Sequence, residues 1–113
     1  MIGGRTTIAP DVLVAIARLT ALNVDGVSRM AEEPSSVNRL LKRNVGGGVQ
    51  LEIRDDSVYA NLSVILINDV NIREVSHRIQ QQVSRAISEM VGMHVGTVNV
   101  HIHDIDYIEV QEV

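Results

Sequence analysis

The stretch that most constrains the fold runs over residues 70–92, VNIREVSHRIQQQVSRAISEMVG. Asn71 is placed to cap a helix with Glu74 three residues further on, and Gly92 is placed to end that helix. Apolar residues recur between them at steps of three or four, which is the spacing of one buried helical face: Ile72, Val75, Ile79, Val83, Ala86 and Met90, widened by Ile87 and Val91. The pattern predicts a long amphipathic helix that carries no nucleophile, paired acid or metal-ligand cluster.

The rest of the chain predicts a second helix and three strands. Pro10 and Asp11 suit a helix start, and apolar residues spaced for a helical face continue to Leu22. Apolar and polar residues alternate over 49–54 and 58–66 around a turn at 55–57, which predicts an antiparallel hairpin, and they alternate again over 98–103. A short extended piece at 6–8 would precede the first helix, and the short piece at 27–30 is ambiguous, with an extended conformation as one interpretation.

These elements predict an α+β fold of two layers. Two main helices would pack on one face of a small mixed three-stranded sheet, in a β-α-β-β-α-β-like order. The strand–helix–strand order around the long helix allows a crossover that lays the last strand parallel to an earlier one. We expect a single domain over residues 1–113, in which residues 1–5 and 107–113 can be flexible.

Composition narrows the function. The absence of cysteine excludes disulfides, thiolate zinc sites and cysteine nucleophiles. A net charge of −4, with two tyrosines and neither Phe nor Trp, argues against nucleic acid as a partner. No apolar run reaches the roughly 18–20 residues that span a bilayer, and the N-terminus lacks a signal-like stretch. We therefore expect a cytoplasmic protein that reaches a membrane only through a partner.

The predicted sheet face opposite the helices is polar, with two exceptions. Ile65 and Ile67 fall on that face and would form an apolar patch if it is open, or be covered by the tail or the N-terminus. The polar face of the long helix is mixed in charge, and such a face is either solvated or a docking surface. The candidate partner surface therefore consists of Ile65, Ile67, Arg78, Gln82 and Arg85.

Other chemistry has less support. His101 and His103 have metal-ligand spacing on a strand, but the sequence fixes no third ligand, so a solvated strand face is the favoured interpretation. Asp55 and Asp56 are adjacent turn formers and not an acid–base pair. Glu74 and Arg78 are spaced for a surface ion pair. We predict no catalytic set, no cofactor and no bound metal.

A small RNA-binding module is the alternative. It would use a basic cluster, Arg39, Lys42 and Arg43, on a short helix beside the glycine run 46–48. Against it stand the negative net charge, the scarcity of aromatic residues and the absence of a GXXG clamp between helices.

Four stretches, at residues 8–17, 24–27, 70–92 and 95–102, resemble in their order the alkaline-shock, or cell-envelope stress response, family of small bacterial proteins. The chain departs from the family pattern at Asp69, where Gly is expected, and at Arg73, where Pro is expected. The resemblance implies a non-enzymatic, cytoplasmic α+β domain tied to cell-wall and alkaline stress. It also implies that the domain associates with itself, as a homo-oligomer, or docks on a membrane-anchored protein.

Overall fold

A computed structural model of the chain describes residues 2–32 and 45–109. Over these residues it contains two helices and five strands, in the order α1 (Pro10–Leu22), β1 (Val27–Met30), β2 (Val45–Gly46), β3 (Val49–Arg54), β4 (Ser57–Ile67), α2 (Ile72–Val91) and β5 (His94–Asp106). The α+β class, the two helices and the three predicted strands are confirmed. Two further strands, β1 and β2, extend the predicted three-stranded sheet to five strands. Residues 6–8 form no strand, so the extended piece predicted before α1 is wrong, whereas the ambiguous piece at Val27–Met30 is extended and forms β1.

β4 is the central strand of the sheet, because it pairs with β1, β3 and β5. β3 pairs antiparallel with the first half of β4, over residues 57–62, and β1 pairs antiparallel with residues 64–66. Ser63 joins the two, because its N–H donates to the Gly48 carbonyl at 2.8 Å and its carbonyl accepts from the Ala31 N–H at 2.9 Å. β5 runs parallel to β4 along the other side of that strand. The sheet is therefore mixed, as predicted.

The ends of α2 follow the sequence signals. The Asn71 side chain accepts a hydrogen bond from the Glu74 N–H at 3.0 Å, which satisfies one of the free donors of the first turn. Gly92 adopts a left-handed conformation with φ of 76°, which costs a glycine little, and its N–H donates to the Ser88 carbonyl at 3.0 Å. The Glu74 carboxylate does not return to the cap, because it accepts a hydrogen bond from Arg78 at 2.9 Å.

Both helices pack on one face of the sheet, where aliphatic side chains form the core. The largest fully buried side chains come from both layers: Leu13, Leu62, Leu66, Ile79, Ile87, Val49, Val58, Val64 and Val83. The buried stripes are narrower than predicted. Ile72 and Met90 lie in the terminal turns of α2 and are 47% and 71% exposed, and Leu19 on α1 is 60% exposed. The central turns of α2 thus supply most of its contact with the sheet.

Candidate interaction surfaces

The sheet face opposite the helices is open to solvent over the described residues. Tyr59, Asn61 and Ser63 remain only half-buried there, although they lie on the central strand β4. The Asn99 side chain on β5 donates a hydrogen bond to the Asn61 side-chain oxygen at 3.0 Å, so the two strands are also joined through this face. A polar face without a covering layer is the arrangement that the alternation of the sequence predicted.

Tyr59 forms a stacked cluster on this open face. The Arg54 guanidinium lies 4.4 Å from the centre of the Tyr59 ring, and Arg54 also pairs with Glu52 at 3.1 Å. The ring atoms Cδ1, Cε1 and Cζ lie against Gly96 of β5, where a Cβ atom would come within 2.7 Å of Tyr59 Cζ. The lack of a side chain at Gly96 therefore allows the aromatic ring to cover the neighbouring strand.

The two isoleucines on the open face are not an exposed patch. Ile65 is only 6% exposed and Ile67 is half-buried. Ile65 lies in register between Arg29 of β1 and Asp104 of β5. Ile65 is therefore covered and does not form part of an open patch. The strands on its two sides are β1 and the end of β5, whereas the sequence predicted that the tail or the N-terminus would cover it. A partner's use of Ile65 and Ile67 stays a prediction.

A polar cluster joins the two strands that flank this end of β4. The Asp106 carboxylate accepts hydrogen bonds from Arg29 Nε at 3.0 Å, from Arg29 Nη2 at 3.3 Å and from the Ser28 hydroxyl at 2.6 Å. The hydrogen bond from Arg29, followed by that from Ser28, lowers the pKa of Asp106, and the same contact raises the pKa of Arg29. Sequence analysis missed this cluster because its members are almost eighty residues apart.

The polar face of α2 carries the other predicted surface residues. Arg78 pairs with Glu74 at 2.9 Å, which confirms the predicted ion pair, and Arg85 pairs with Glu89 at 3.1 Å. Gln82 is exposed between the two arginines. Both ion pairs are exposed, so they contribute little to stability. The surface therefore presents positive and negative charge side by side.

Gln82 and Arg85 also line a shallow groove between the two helices. Thr20 of α1 and the exposed Met90 of α2 contribute to the same groove. The structure brings Arg78, Gln82 and Arg85 together on α2, whereas Ile65 and Ile67 lie on the opposite layer of the molecule. The five residues predicted to form one partner surface therefore lie on two separate surfaces.

The residues of the alternative metal and RNA sites do not form a site in the part of the chain that the structure describes. His101 and His103 lie on β5, and the described residues contain no group of three or more side chains that could hold a metal ion. The glycine run continues from β2 into a turn before β3, and the Arg18 side chain packs against Gly47. The basic cluster Arg39, Lys42 and Arg43 lies outside the described residues. Neither described helix is long and apolar enough to cross a membrane.

Comparison with known proteins assigns the sequence to a family. The model of the alkaline shock protein 23 family, which has a cell envelope-related function, matches residues 2–107. The uncharacterized protein YqhY of Bacillus subtilis (strain 168) is 30% identical over 106 residues, which cover 92% of this chain and 78% of YqhY. The uncharacterized protein YloU of the same organism is 24% identical over 106 residues, which cover 90% of this chain and 88% of YloU.

Solved structures share the fold. A nickel form of the MamM CTD superposes with a TM-score of 0.53 at 11% sequence identity, over 85% of this chain and 99% of that chain. A second MamM CTD structure gives a TM-score of 0.52 at 12% identity, over 83% of this chain and 95% of that chain. At this level of identity the likeness concerns the fold alone.

Proposed function

The chain belongs to the alkaline shock protein 23 family, and from that premise we propose that it is a non-enzymatic interaction protein of the cell-envelope stress response. It acts in the cytoplasm by associating with itself or by docking on a membrane-anchored protein. The observation that carries the proposal is the family match together with a sheet whose polar face is open to solvent over residues 2–32 and 45–109.

The surfaces of the molecule support binding better than catalysis. The described residues carry no buried polar or charged side chain, and the one cluster with shifted pKa values, Arg29 with Asp106, is a solvent-exposed tie between strands. Catalytic groups are usually activated by burial together with neighbouring charges, and the Arg29–Asp106 pair has the charged neighbour without the burial. An exposed surface of paired charges suits reversible recognition of another protein, because charge complementarity mainly sets specificity and association rate.

We assign the docking of the membrane-anchored protein to the polar face of α2. Arg78, Gln82 and Arg85 lie on one exposed face, and the two arginines form ion pairs within that helix. A partner with acidic side chains could exchange for Glu74 and Glu89, since exposed pairs of this kind hold each other with at most about 1 kcal/mol. Met90 at the end of the groove adds an exposed apolar contact.

Affinity purification of the tagged chain from membrane and soluble fractions tests this function. The double variant Arg78→Glu/Arg85→Glu should keep its far-UV circular dichroism spectrum, because both side chains are exposed, and should lose the membrane protein. Arg73→Glu is the matched control, since Arg73 is exposed on the first turn of the same helix. A partner retained by the folded double variant would exclude this surface. A strictly monomeric chain without any partner would contradict the function itself.

A further inference from the structure

The outer edge of β5 is the longest unpaired backbone in the described part of the chain. β5 extends over 13 residues and pairs there with β4 alone. An edge strand presents N–H and C=O groups that can pair with another strand, and natural proteins usually protect such edges with charges, prolines, bulges or side-chain caps.

Two hydrogen bonds show which residues of β5 face outward. Gln80 Nε2 of α2 donates to the Val98 carbonyl at 3.1 Å, and the Asn68 N–H, which follows β4, donates to the Asp106 carbonyl at 3.1 Å. The groups of Val98 thus face the outer edge, while those of Asp106 face β4. Because successive residues of a strand face opposite edges, Val100 and Ile102 face outward with Val98. The register shift between residues 102 and 104 then reverses the alternation, in agreement with the inward position of Asp106.

Two side chains cap backbone groups of this edge, one at Val98 and one at Ile105. The Gln80 amide covers the Val98 carbonyl, and the Asp104 carboxylate accepts a hydrogen bond from the outward Ile105 N–H at 2.8 Å. Between the caps lie the N–H and C=O groups of Val100 and Ile102. The segment 98–103, VNVHIH, contains no Lys, Arg, carboxylate or proline. The stretch between the two caps therefore lacks the protection found at Val98 and Ile105.

We propose that this uncapped segment of β5 pairs antiparallel with the same segment of a second copy of the chain. The inference rests on the proposed function, because it names the surface through which self-association occurs. In this register Val100 of one copy exchanges two hydrogen bonds with Ile102 of the other, and the two-fold axis repeats the exchange, so each uncapped group finds a partner. The Gln80 and Asp104 caps stay in place, and the two sheets become one continuous sheet.

The side chains of the segment are compatible with self-pairing. On the helix face, Val100 and Ile102 of opposite copies contact each other, and both are only partly covered in the single chain. On the open face, His101 lies directly opposite its own counterpart in a close, non-hydrogen-bonded pair. Each chain carries a net charge of −4, but the contact segment contains no carboxylate, so the repelling charges lie outside the contact. A second copy of the chain pairs with both uncapped residues, because its Ile102 and Val100 lie opposite Val100 and Ile102.

The position of His101 provides a charge-swap experiment. His101→Glu and His101→Lys should each weaken self-association by up to about fivefold, measured by sedimentation velocity, because like charges then lie opposite each other. An equimolar mixture of the two variants should recover it through Glu–Lys pairs, detected as the mixed dimer by native mass spectrometry. His77→Glu on α2, an exposed histidine away from β5, should have no effect.

Amide hydrogen exchange followed by NMR gives an independent result. The amides of Val100 and Ile102 should exchange more slowly as the protein concentration rises, whereas the His101 amide, which faces β4, should not change. Self-association that is insensitive to His101→Glu, a monomer at every concentration, or an extended peptide of another protein bound along β5 would each overturn this pairing. Self-association that is insensitive to His101→Glu would overturn the pairing through β5 but not the proposed function. The proposed function is tested separately, by the affinity purification described above.

Discussion

Replacing Gly96 with alanine tests the packing of the open sheet face. The new Cβ atom would lie 2.7 Å from Tyr59 Cζ and 2.8 Å from Tyr59 Cδ1, well inside the usual contact distance, so the ring has to move. Gly96 itself has no left-handed backbone conformation that alanine would resist. The cost therefore comes from the tyrosine ring and from the Arg54 side chain stacked on it.

The magnitude follows from opposing contributions. Overpacking of this kind costs about 1–3 kcal/mol, and loss of an exposed cation–π contact costs about 0.5–1 kcal/mol. Alanine in a strand recovers about 0.5–1 kcal/mol that glycine loses in conformational entropy. We expect Gly96→Ala to lower the free energy of unfolding by about 1–2 kcal/mol. In a Tyr59→Ala background the clash is absent, so the same substitution should stabilise the fold by about 0.5–1 kcal/mol.

Urea unfolding of the four chains in this double-mutant cycle measures the coupling. Far-UV circular dichroism is the suitable signal, because the chain has no tryptophan and one of its two tyrosines is removed. The coupling energy between the two sites should be about 2 kcal/mol. An equal effect of Gly96→Ala in both backgrounds would refute the argument, since it would place the strain somewhere other than the tyrosine ring.

Two further predictions concern the helix cap and the strand tie. Asn71→Ala should lower the free energy of unfolding by about 1 kcal/mol in thermal or urea unfolding. Asn71→Asp should retain most of the wild-type stability, because an Asp carboxylate also accepts a hydrogen bond from the Glu74 N–H. Asp106 has a lowered folded-state pKa, so its contribution to stability is present above the unfolded pKa of about 3.9 and is lost as the pH falls through the folded value. Asp106→Asn should therefore lower the melting temperature at pH 7 and flatten its decline at acid pH; a melting curve identical to wild type at every pH would show that the tie to Arg29 contributes nothing.

Sequence alone predicted the elements whose period is unbroken. The four-residue spacing of Val75, Ile79, Val83 and Ile87 predicted α2, and the strict alternation of apolar and polar residues predicted β3 and β4. β5 was predicted over six residues, 98–103, but it extends over 13 residues, 94–106. The register with β4 shifts near Gly96 and near His103, and each shift reverses the alternation of side chains, which hides the ends of the strand from a period-two pattern.

The surfaces were predicted less completely, for a physical reason. Exposure of Arg78, Gln82 and Arg85 follows from helical periodicity, which is a local property. The burial of Ile65 depends on β1 and the end of β5, which are distant in the sequence. The outer edge of β5, unpaired among the described strands, depends on strand order, and alternation along one strand carries no information about its neighbours.

The central position of β4 has a consequence for folding during synthesis. β1, β2 and β3 precede or directly adjoin β4 in the chain, so one side of β4 can be paired as soon as its own residues have emerged. The other side of β4 pairs only with β5, which is the last of the described elements and becomes available after all twenty residues of α2. Until then β4 presents a long, aliphatic edge strand, the kind of structure most prone to wrong pairing. Rapid formation of the well-capped α2 shortens that interval, because the helix brings β5 back to the edge that it closes.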